Sequence, residues 1–356
     1  MFELPITQIF EFMLKVYLLG LILASIIWTM DINWNSKVLS SLNPVIENLQ
    51  NIKLNQDEIT RVADWMAYEE FQPPEDNLSK KNPEEFIRTT MLINTLNFAF
   101  TDFENSTKYE IVRDGRTLSD SEAMITQIQE AITSGIKLYD GNVLSELDIN
   151  SLNEIFQGNI DMPMMLERLQ ILQATGKQLS ESYQGDWMNF INAGPKKLYH
   201  DGEGLIERLT SEFPRFDDTS TYNEKDDVHF YKLAQLAFWG MHAELAGTGE
   251  FYIEDMESMS AFADYIVPVA LEVMRVVEYS DDLQSKIRNG EIIQRDSLEE
   301  IEIRAASLYA TAKLTEEINK RRPSEKSIII PQLDFRLWKL YHATHRPHHL
   351  TITTMY

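Results

Sequence analysis

Cysteine is absent from this 356-residue chain, and glycine and proline are scarce, with 14 and 12 residues. Without thiols the protein has no disulfide, no thiolate nucleophile and no cysteine-ligated zinc or iron–sulfur centre. Few glycines and prolines mean few turn signals, which favours long helices over many short strands. The sequence also lacks a Gly-rich phosphate loop, an H-E-x-x-H zinc motif and a nucleophile elbow, so the common signatures of those enzyme classes are missing.

Basic residues are outnumbered, with 32 Lys and Arg against 56 Asp and Glu and a formal net charge of −24. A surface this acidic repels a phosphate backbone, so we expect no direct binding of DNA or RNA. A small nucleotide in an enclosed pocket stays compatible with this charge, because a few local groups decide its binding. Hydrophobic residues make up 44% of the chain, which is enough for a sizeable core.

The first long apolar stretch is Val16–Met30, which is uncharged but shorter than the ~20 residues that a membrane-spanning helix needs. Extending it back to residue 9 makes it long enough but includes two charged residues. A membrane anchor, a secretory signal and a helix docked on the domain all stay open. We treat residues 1–37 as a separate segment and predict one domain over 38–356. We expect a cytoplasmic protein, with membrane association through residues 9–30 left open.

Apolar residues at helical spacing predict a mainly α domain with little β structure. Asn55 with Glu58, and Ser297 with Glu300, form capping-box patterns ahead of two helices. The only strand candidate is Ser327–Leu333. The predicted helices cover residues 55–71, 84–100, 118–136, 149–156, 163–185, 197–209, 227–245, 260–279 and 297–319.

Two charged residues stand in apolar helical segments, Lys232 in DDVHFYKLAQLAFW and Asp264 in SAFADYIVPVAL. Helical spacing places Lys232, Gln235 and Val228 on one face, so a charged group and an amide line the same wall. An isolated buried charge is costly, so the lysine and the aspartate invite pairing. From the residues alone, a structural salt bridge and a functional pair both fit, and the structural pair is the commoner.

Three further segments carry polar groups beside apolar ones. The stretch LINTLNFAFTDFE combines Asn97 with a set of aromatic residues that includes Phe98, although plain core packing explains it equally well. Glu302 and Arg304 are expected to form an internal ion pair. Asp334 is expected to cap the helix that follows it.

Histidines crowd near the end of the chain in YHATHRPHHLT. A His-rich tract can bind metal. Here Pro347 interrupts the helix, and no acidic residue is spaced to complete a ligand set, so we expect no metal site.

Taken in order, the motifs from about Val38 onward resemble the queuosine salvage protein family. The resemblance implies a fold like that of helical DNA glycosylases and an N-glycosidase that needs no cofactor. Such an enzyme releases queuine from queuosine 5'-monophosphate, so that the base can be reused in tRNA. The motifs are LINTLNFAF, MPMMLERLQILQATGKQLSESYQGDW, FPRFDD, VHFYKLAQL, MSAFADYIVP, YSDDLQSKIRNGEII, EEIEIRAASLYA, QLDFRLW and PHHLTITTMY.

The resemblance implies that Asp264 is the catalytic carboxylate and that Lys232 is its electrostatic partner. Cleavage of an N-glycosidic bond passes through an oxocarbenium-like state that a carboxylate stabilises, and a nearby ammonium keeps that carboxylate ionised. The expected substrate-binding residues are Asn97, Phe98, Tyr265, Gln235, Asp334 and His349.

The chain departs from the family pattern at Leu233, Ile266 and Leu350, where the family usually carries basic residues. Each departure removes a candidate contact to phosphate or ribose, so the preference for a 5'-phosphate is left open. The main alternative is therefore a nucleoside- or base-binding protein that has diverged from the enzyme and lost catalysis. A purely structural helical scaffold is the third hypothesis.

Overall fold

The computed structural model describes residues 31–71, 82–104, 107–342, 344 and 346–356. The apolar run at residues 9–30 lies outside these ranges, so its interpretation stays a prediction. None of the helices within them combines the length and the apolar character that a bilayer crossing requires. Ile32 and Trp34 already pack against the core, while the boundary proposed at residue 37 stays a prediction.

Helices dominate the described residues, as the composition predicts. The helices are α1 Lys37–Ser41, α2 Asn43–Ile46, α3 Gln56–Met66, α4 Pro83–Leu96, α5 Asp120–Thr133, α6 Gly141–Ser145, α7 Ile149–Ile155, α8 Met165–Tyr183, α9 Trp187–Asn192, α10 Leu205–Glu212, α11 Lys232–Leu245, α12 Val267–Val273, α13 Asp281–Asn289, α14 Leu298–Asn319 and α15 Ile330–Tyr341.

Both predicted N-caps form, although neither is a complete capping box. The Asn55 side chain accepts a hydrogen bond from Glu58 N at 3.2 Å at the head of α3. Ser297 Oγ accepts one from Glu300 N at 3.3 Å at the head of α14. The carboxylate of Glu300 reaches back to Asp296 N, one residue beyond the expected partner. These caps satisfy amide groups that the first turn of a helix leaves without partners.

Six short strands pair into three antiparallel ribbons within the described residues. The predicted strand Ser327–Leu333 is wrong, because α15 begins at Ile330 with Pro331 in its first turn. Proline suits that turn, where the missing N–H has no helical partner to lose. The pairs are β1 Ile52–Leu54 with β6 Val277–Tyr279, β2 Glu110–Arg113 with β3 Arg116–Ser119, and β4 Thr219–Tyr222 with β5 Asp226–His229.

Two predicted helices around the charged motifs are shorter in the structure. The segment 227–245 starts as β5, and the helix begins only at Lys232. The segment 260–279 is non-helical up to residue 266, forms α12 and ends in β6. Likewise, the helix expected at 197–209 is α10, which begins at Leu205. Short apolar runs fit strands and buried helices equally well, so apolar spacing could not place these boundaries.

Helix α14 is the centre of the fold because it is buried on both sides. Ile301, Ala305, Leu308 and Ala312 join the largest apolar cluster, which also holds α9, α10 and α11. The opposite face joins a second cluster with α3, α12 and α15. The helix predicted at 297–319 is thus confirmed, and its two buried faces place it between the two apolar clusters.

Replacing Gly115 by alanine should destabilise the β2–β3 hairpin. Asp114 and Gly115 connect the two strands with φ values of 50° and 75°, a left-handed turn that penalises a Cβ. A Cβ on Gly115 would meet no atom within 4 Å, so the backbone conformation alone is tested. We expect Gly115→Ala to lower the free energy of unfolding by about 1–2 kcal/mol in urea denaturation. Gly247→Ala, also in open space but without a positive φ, should be near neutral, and equal effects would contradict this account.

Candidate active site

Lys232 is buried at the head of α11, with 7% of the residue exposed. Tyr231 has a left-handed backbone, φ 48°, so the chain turns sharply between β5 and the helix. Phe230 N and Tyr231 N both donate to the carbonyl oxygen of Asp218, at 2.9 and 3.3 Å. The turn that presents Lys232 is therefore anchored to the backbone of another segment.

Asp264 lies just before α12 and binds backbone amides at the start of this helix. Its Oδ1 accepts hydrogen bonds from Ile266 N at 3.1 Å and from Val267 N at 2.9 Å. Pro268 occupies the first turn, where the backbone amides have no hydrogen-bond partner within the helix and the missing N–H of proline costs nothing. One carboxylate oxygen is thus fixed by the main chain, while Oδ2 accepts no hydrogen bond from any described residue.

Asp334 meets the same segment from α15. Its Oδ2 accepts a hydrogen bond from Phe262 N at 2.9 Å, and the residue is 3% exposed. The predicted role as a helix cap is wrong, because α15 starts four residues earlier at Ile330 and places Asp334 inside the helix. Long-range contact with Phe262 instead brings this carboxylate to the neighbourhood of Asp264.

Lys232, Asp264 and Asp334 form what we term the carboxylate–lysine cluster. Burial lowers the pKa of Lys232, and the charge of Asp264 opposes that shift. Burial raises the pKa of Asp264, against which Lys232 acts first and the amides of α12 next. Among the described residues no carboxylate lies within 4.0 Å of Lys232 Nζ. The three groups influence one another's pKa values, and within the described residues the direct salt bridge that the sequence left open does not form.

Arg304, on α14, joins the two segments that present Lys232 and Asp264. Its Nη1 donates to Asp218 Oδ1 at 3.0 Å, its Nη2 donates to the other oxygen, and its Nε lies 3.4 Å from Ala263 O. Glu300 Oε1 lies 3.5 Å from Nη1. The expected pair with Glu302 is wrong, because residues two apart on a helix point away from each other. The carboxylate of Glu302 instead accepts two backbone amides of residues 50 and 51.

Gln235 is fully buried, and its amide is engaged by protein groups. Its Nε2 donates to Phe230 O at 3.0 Å, and its Oε1 accepts from Ser260 N at 2.9 Å. These bonds tie the start of α11 to the segment that leads to Asp264. The expected contact with substrate stays a prediction, and the geometry described here is that of a positioning residue.

Phe98 and Asn97 follow the last turn of α4, and two buried arginines hold this region. Arg168 donates to the carbonyls of Leu96, Phe98 and Ala99, and its guanidinium carbon lies 4.2 Å from the Phe98 ring centroid. The guanidinium carbon of Arg215 lies 4.8 Å from the same centroid. Phe98 is 1% exposed, whereas Asn97 is half-buried. Sequence patterning gave no role to either arginine.

Tyr265 directly follows Asp264, and its ring contacts one member of the terminal histidine pair. The Tyr265 ring stacks on His348 with 4.5 Å between centroids. His349 is 3% exposed, and its buried Nε2 has no hydrogen-bond partner among the described residues. Burial lowers the pKa of His349 to about 3, so the ring is neutral in the folded protein at ordinary pH. In the described parts of the chain, no three potential ligands gather around a metal position.

Comparison with known proteins places this chain in a family. The family model described as queuosine salvage protein matches residues 77–356. The chain belongs to the queuosine salvage protein family. Three relatives are each named queuosine 5'-phosphate N-glycosylase/hydrolase. The protein from Sphaerobacter thermophilus is 27% identical over 325 residues, covering 90% of this chain and 97% of the relative. The mouse protein is 27% identical over 292 residues, covering 80% and 83%, and the Schizosaccharomyces pombe protein is 26% identical over 333 residues, covering 86% and 91%.

The three positions at which the sequence resemblance predicts a loss of basic residues have different surroundings. Leu233 is 2% exposed and belongs to the largest apolar cluster. Ile266 is half-buried and contributes its backbone amide to Asp264. Leu350 O accepts a hydrogen bond from Ile293 N at 2.8 Å, which ties the terminal segment to the chain after α13. Leu233 contributes an apolar side chain to the core, while Ile266 and Leu350 contribute backbone hydrogen bonds. None of the three supplies a positive charge to the candidate active site.

Removing the Arg304 guanidinium should strongly destabilise the fold. Arg304→Met leaves the buried carboxylates of Asp218 and Glu300 without their cation, and breaking a buried pair costs about 3–5 kcal/mol. Urea unfolding followed by circular dichroism measures this loss. The exposed pair Arg113–Glu130 provides the control, because Arg113→Met should cost about 1 kcal/mol or less. A loss below about 1 kcal/mol for Arg304→Met would contradict the central role of this residue.

The buried His349 should make the protein less stable in acid. Its pKa falls from an ordinary 6.5 to about 3 on folding. Below pH ~6.5 the unfolded chain takes up a proton that the folded chain refuses, so stability falls with pH by up to about 1.4 kcal/mol per unit. Compared with wild type, His349→Gln should show a shallower loss of unfolding free energy between pH 7 and 5. The exposed His200→Gln should follow wild type, and identical slopes in all three proteins would refute the assignment.

Proposed function

We propose that this chain hydrolyses the N-glycosidic bond of queuosine 5'-phosphate and releases queuine. The observation that supports this most directly is Asp264, a buried carboxylate with one oxygen held by two amides and the other unengaged. A carboxylate in a low-dielectric site stabilises the positive charge that develops on the sugar as the bond breaks. Its free oxygen is suited to face that charge and then to accept a proton from the attacking water.

Lys232 supports the same role electrostatically. Burial alone favours the protonated form of Asp264, and the Lys232 ammonium is the strongest opposing influence. The helix N-terminus adds two N–H donors, which also favour the ionised carboxylate. We therefore assign Lys232 to keeping Asp264 charged, and we assign no proton transfer to it.

The base and sugar are proposed to lie against Tyr265 and Asn97, the half-buried members of the predicted set. An aromatic face suits a deazapurine, and an amide suits its polar edges. The guanidinium groups of Arg168 and Arg215 lie over the ring of Phe98. We therefore propose that Phe98 packs behind Asn97 and supports the substrate-binding surface without contacting the substrate. His349 follows His348, whose ring stacks on Tyr265, and its contact with substrate stays a prediction.

Two finer expectations belong to the proposal. We propose that the helical frame has the architecture of helical DNA glycosylases, supported by its predominance of helices and by a carboxylate at a helix head. Membrane association through residues 9–30 and a cytoplasmic location stay predictions. Because Leu233, Ile266 and Leu350 supply no cation, the phosphate requirement is tested with queuosine beside its 5'-phosphate.

Asp264→Asn should abolish most of the activity while leaving the fold intact. The amide keeps an oxygen for the two backbone N–H groups but loses the charge, so queuine release should fall about 10²–10⁴-fold. Chromatography of queuine released from queuosine 5'-monophosphate by the full chain measures this. Asp255→Asn is the matched control, because Asp255 also accepts two backbone amides, those of Leu198 and Tyr199.

The outcomes separate the competing hypotheses. Loss of turnover in Asp264→Asn with activity kept in Asp255→Asn supports the hydrolase. Ligand-induced thermal stabilisation of wild type without any queuine release would favour the binding-only alternative and reject hydrolysis. Full activity in Asp264→Asn would reject Asp264 as the catalytic carboxylate.

A further inference from the structure

The carboxylate–lysine cluster holds two carboxylates, each with one oxygen uncommitted. Asp264 uses Oδ1 for two amides of α12, and Asp334 uses Oδ2 for Phe262 N. Asp264 Oδ2 and Asp334 Oδ1 accept no hydrogen bond from any described residue. Because the amide partners lie within five residues of one another, both carboxyl groups are held by the same short segment. The site therefore offers two separate oxygens for reaction chemistry.

Charge balance inside the cluster favours a single negative charge on the two carboxyl groups. Lys232 is the cation that acts on both aspartates, while Arg304 is committed to Asp218 and Glu300. The buried guanidinium of Arg215 acts on Lys232 and not on either aspartate, so it adds no positive charge to the two carboxyl groups. Two ionised carboxylates with one ammonium would leave a net charge buried at 7% exposure or less. Such a charge is costly, and a bound proton removes the cost. One of the two aspartates is thus expected to be a neutral acid near pH 7.

The surroundings decide which aspartate carries the proton. Asp264 receives two amide hydrogen bonds at a helix N-terminus and is the carboxylate on which Lys232 acts most. Asp334 receives one amide hydrogen bond and sits inside a helix. The second amide hydrogen bond and the ammonium of Lys232 both favour the ionised form, so Asp264 keeps the charge.

We propose that Asp334 is the proton donor to the leaving base, an assignment that rests on the proposed glycosidase function. The departing base carries away the electron pair of the broken C–N bond and needs a proton on a ring nitrogen or carbonyl oxygen. A carboxylic acid kept neutral by an apolar site can supply it. Asp334 Oδ1, free of protein partners, is the oxygen assigned to this transfer.

The proton balance closes over one turnover. Asp334 gives its proton to the base as the glycosidic bond breaks and becomes a carboxylate. Water then adds to the anomeric carbon and gives a proton to Asp264. Transfer of that proton from Asp264 to Asp334, directly or through water, restores both groups. The net reaction is hydrolysis, and no further reactant is needed.

Electrostatics support the same division of roles. Burial and then the charge of Asp264 raise the pKa of Asp334 well above its ordinary value, while Phe262 N and Lys232 act in the opposite direction. From α14, Arg304 acts on Asp264. Because the two aspartates interact, they titrate as a pair, and the higher of the two apparent pKa values marks the alkaline limit of activity.

Asp334→Asn tests the assignment with a nearly isosteric change. Asparagine keeps an oxygen for Phe262 N but cannot deliver a proton. We expect queuine release from queuosine 5'-monophosphate to fall about 10²-fold or more, with the alkaline limb of the pH–rate profile lost. A substrate whose leaving group needs no proton, 4-nitrophenyl β-ribofuranoside 5'-phosphate, should be cleaved within about threefold of the wild-type rate. Asp334→Glu should restore part of queuine release.

The other variants and outcomes make the test decisive. Asp264→Asn should lose activity on both substrates, because the sugar cation forms in each. Equal losses on both substrates in Asp334→Asn would overturn the assignment in favour of a positioning role, and so would unchanged queuine release. If wild type does not cleave the aryl substrate, an alkaline limb that persists in Asp334→Asn overturns it. If wild type releases no queuine at all, the proposed function itself fails.

Discussion

The buried ion pair between Arg304 and Asp218 is the interaction on which the candidate active site depends. Arg304 reaches the carbonyl of Ala263, directly before Asp264, and the Asp218 carbonyl holds the turn directly before Lys232. A buried pair adds little net stability once its desolvation is counted. Its contribution lies in geometry, because it fixes two distant segments on one side of α14. The two-sided burial of α14 keeps this anchor rigid.

The scaffold and the reactive centre differ in how completely their polar groups are engaged. Asp218, Arg304 and Glu300 have hydrogen-bonded or ionic partners within the protein. In the carboxylate–lysine cluster, by contrast, each carboxylate retains a free oxygen and Lys232 has no direct ion pair among the described residues. Buried polar groups without hydrogen-bond or ionic partners are energetically costly. Proteins retain them mostly where a ligand or a reaction provides the missing partner.

Sequence reasoning succeeded where a pattern is local and strong. The long apolar repeat of α14 and the caps at Asn55 and Ser297 were predictable, and charged residues in apolar segments drew attention to Lys232 and Asp264. Short apolar runs misled, since the segment at 327–333 fits a strand as well as the start of a helix. The Asp114–Gly115 dipeptide was a hairpin signal that went unused.

Contacts between distant segments could not be read from the sequence. Asp218 and Arg304 are 86 residues apart, and Asp334 meets Phe262 across 72 residues. Neither pair has a spacing that suggests it, so Arg304 was assigned to its near neighbour Glu302. The resemblance to a family predicted Asp334 as a substrate-binding residue, whereas its electrostatic interaction with Asp264 emerged only from the three-dimensional arrangement.

The hydrogen bonds that hold Asp264 come from the main chain, and this has a consequence for how the site can evolve. Any residue except proline supplies a backbone amide at positions 266 and 267. The orientation of the Asp264 carboxylate therefore does not depend on the side chains at these two positions. Ile266, for example, has an apolar side chain and still donates its amide to Asp264 Oδ1. Evolution can therefore change the side chains around Asp264, and with them the accepted substrates, while the orientation of the reactive carboxylate is preserved.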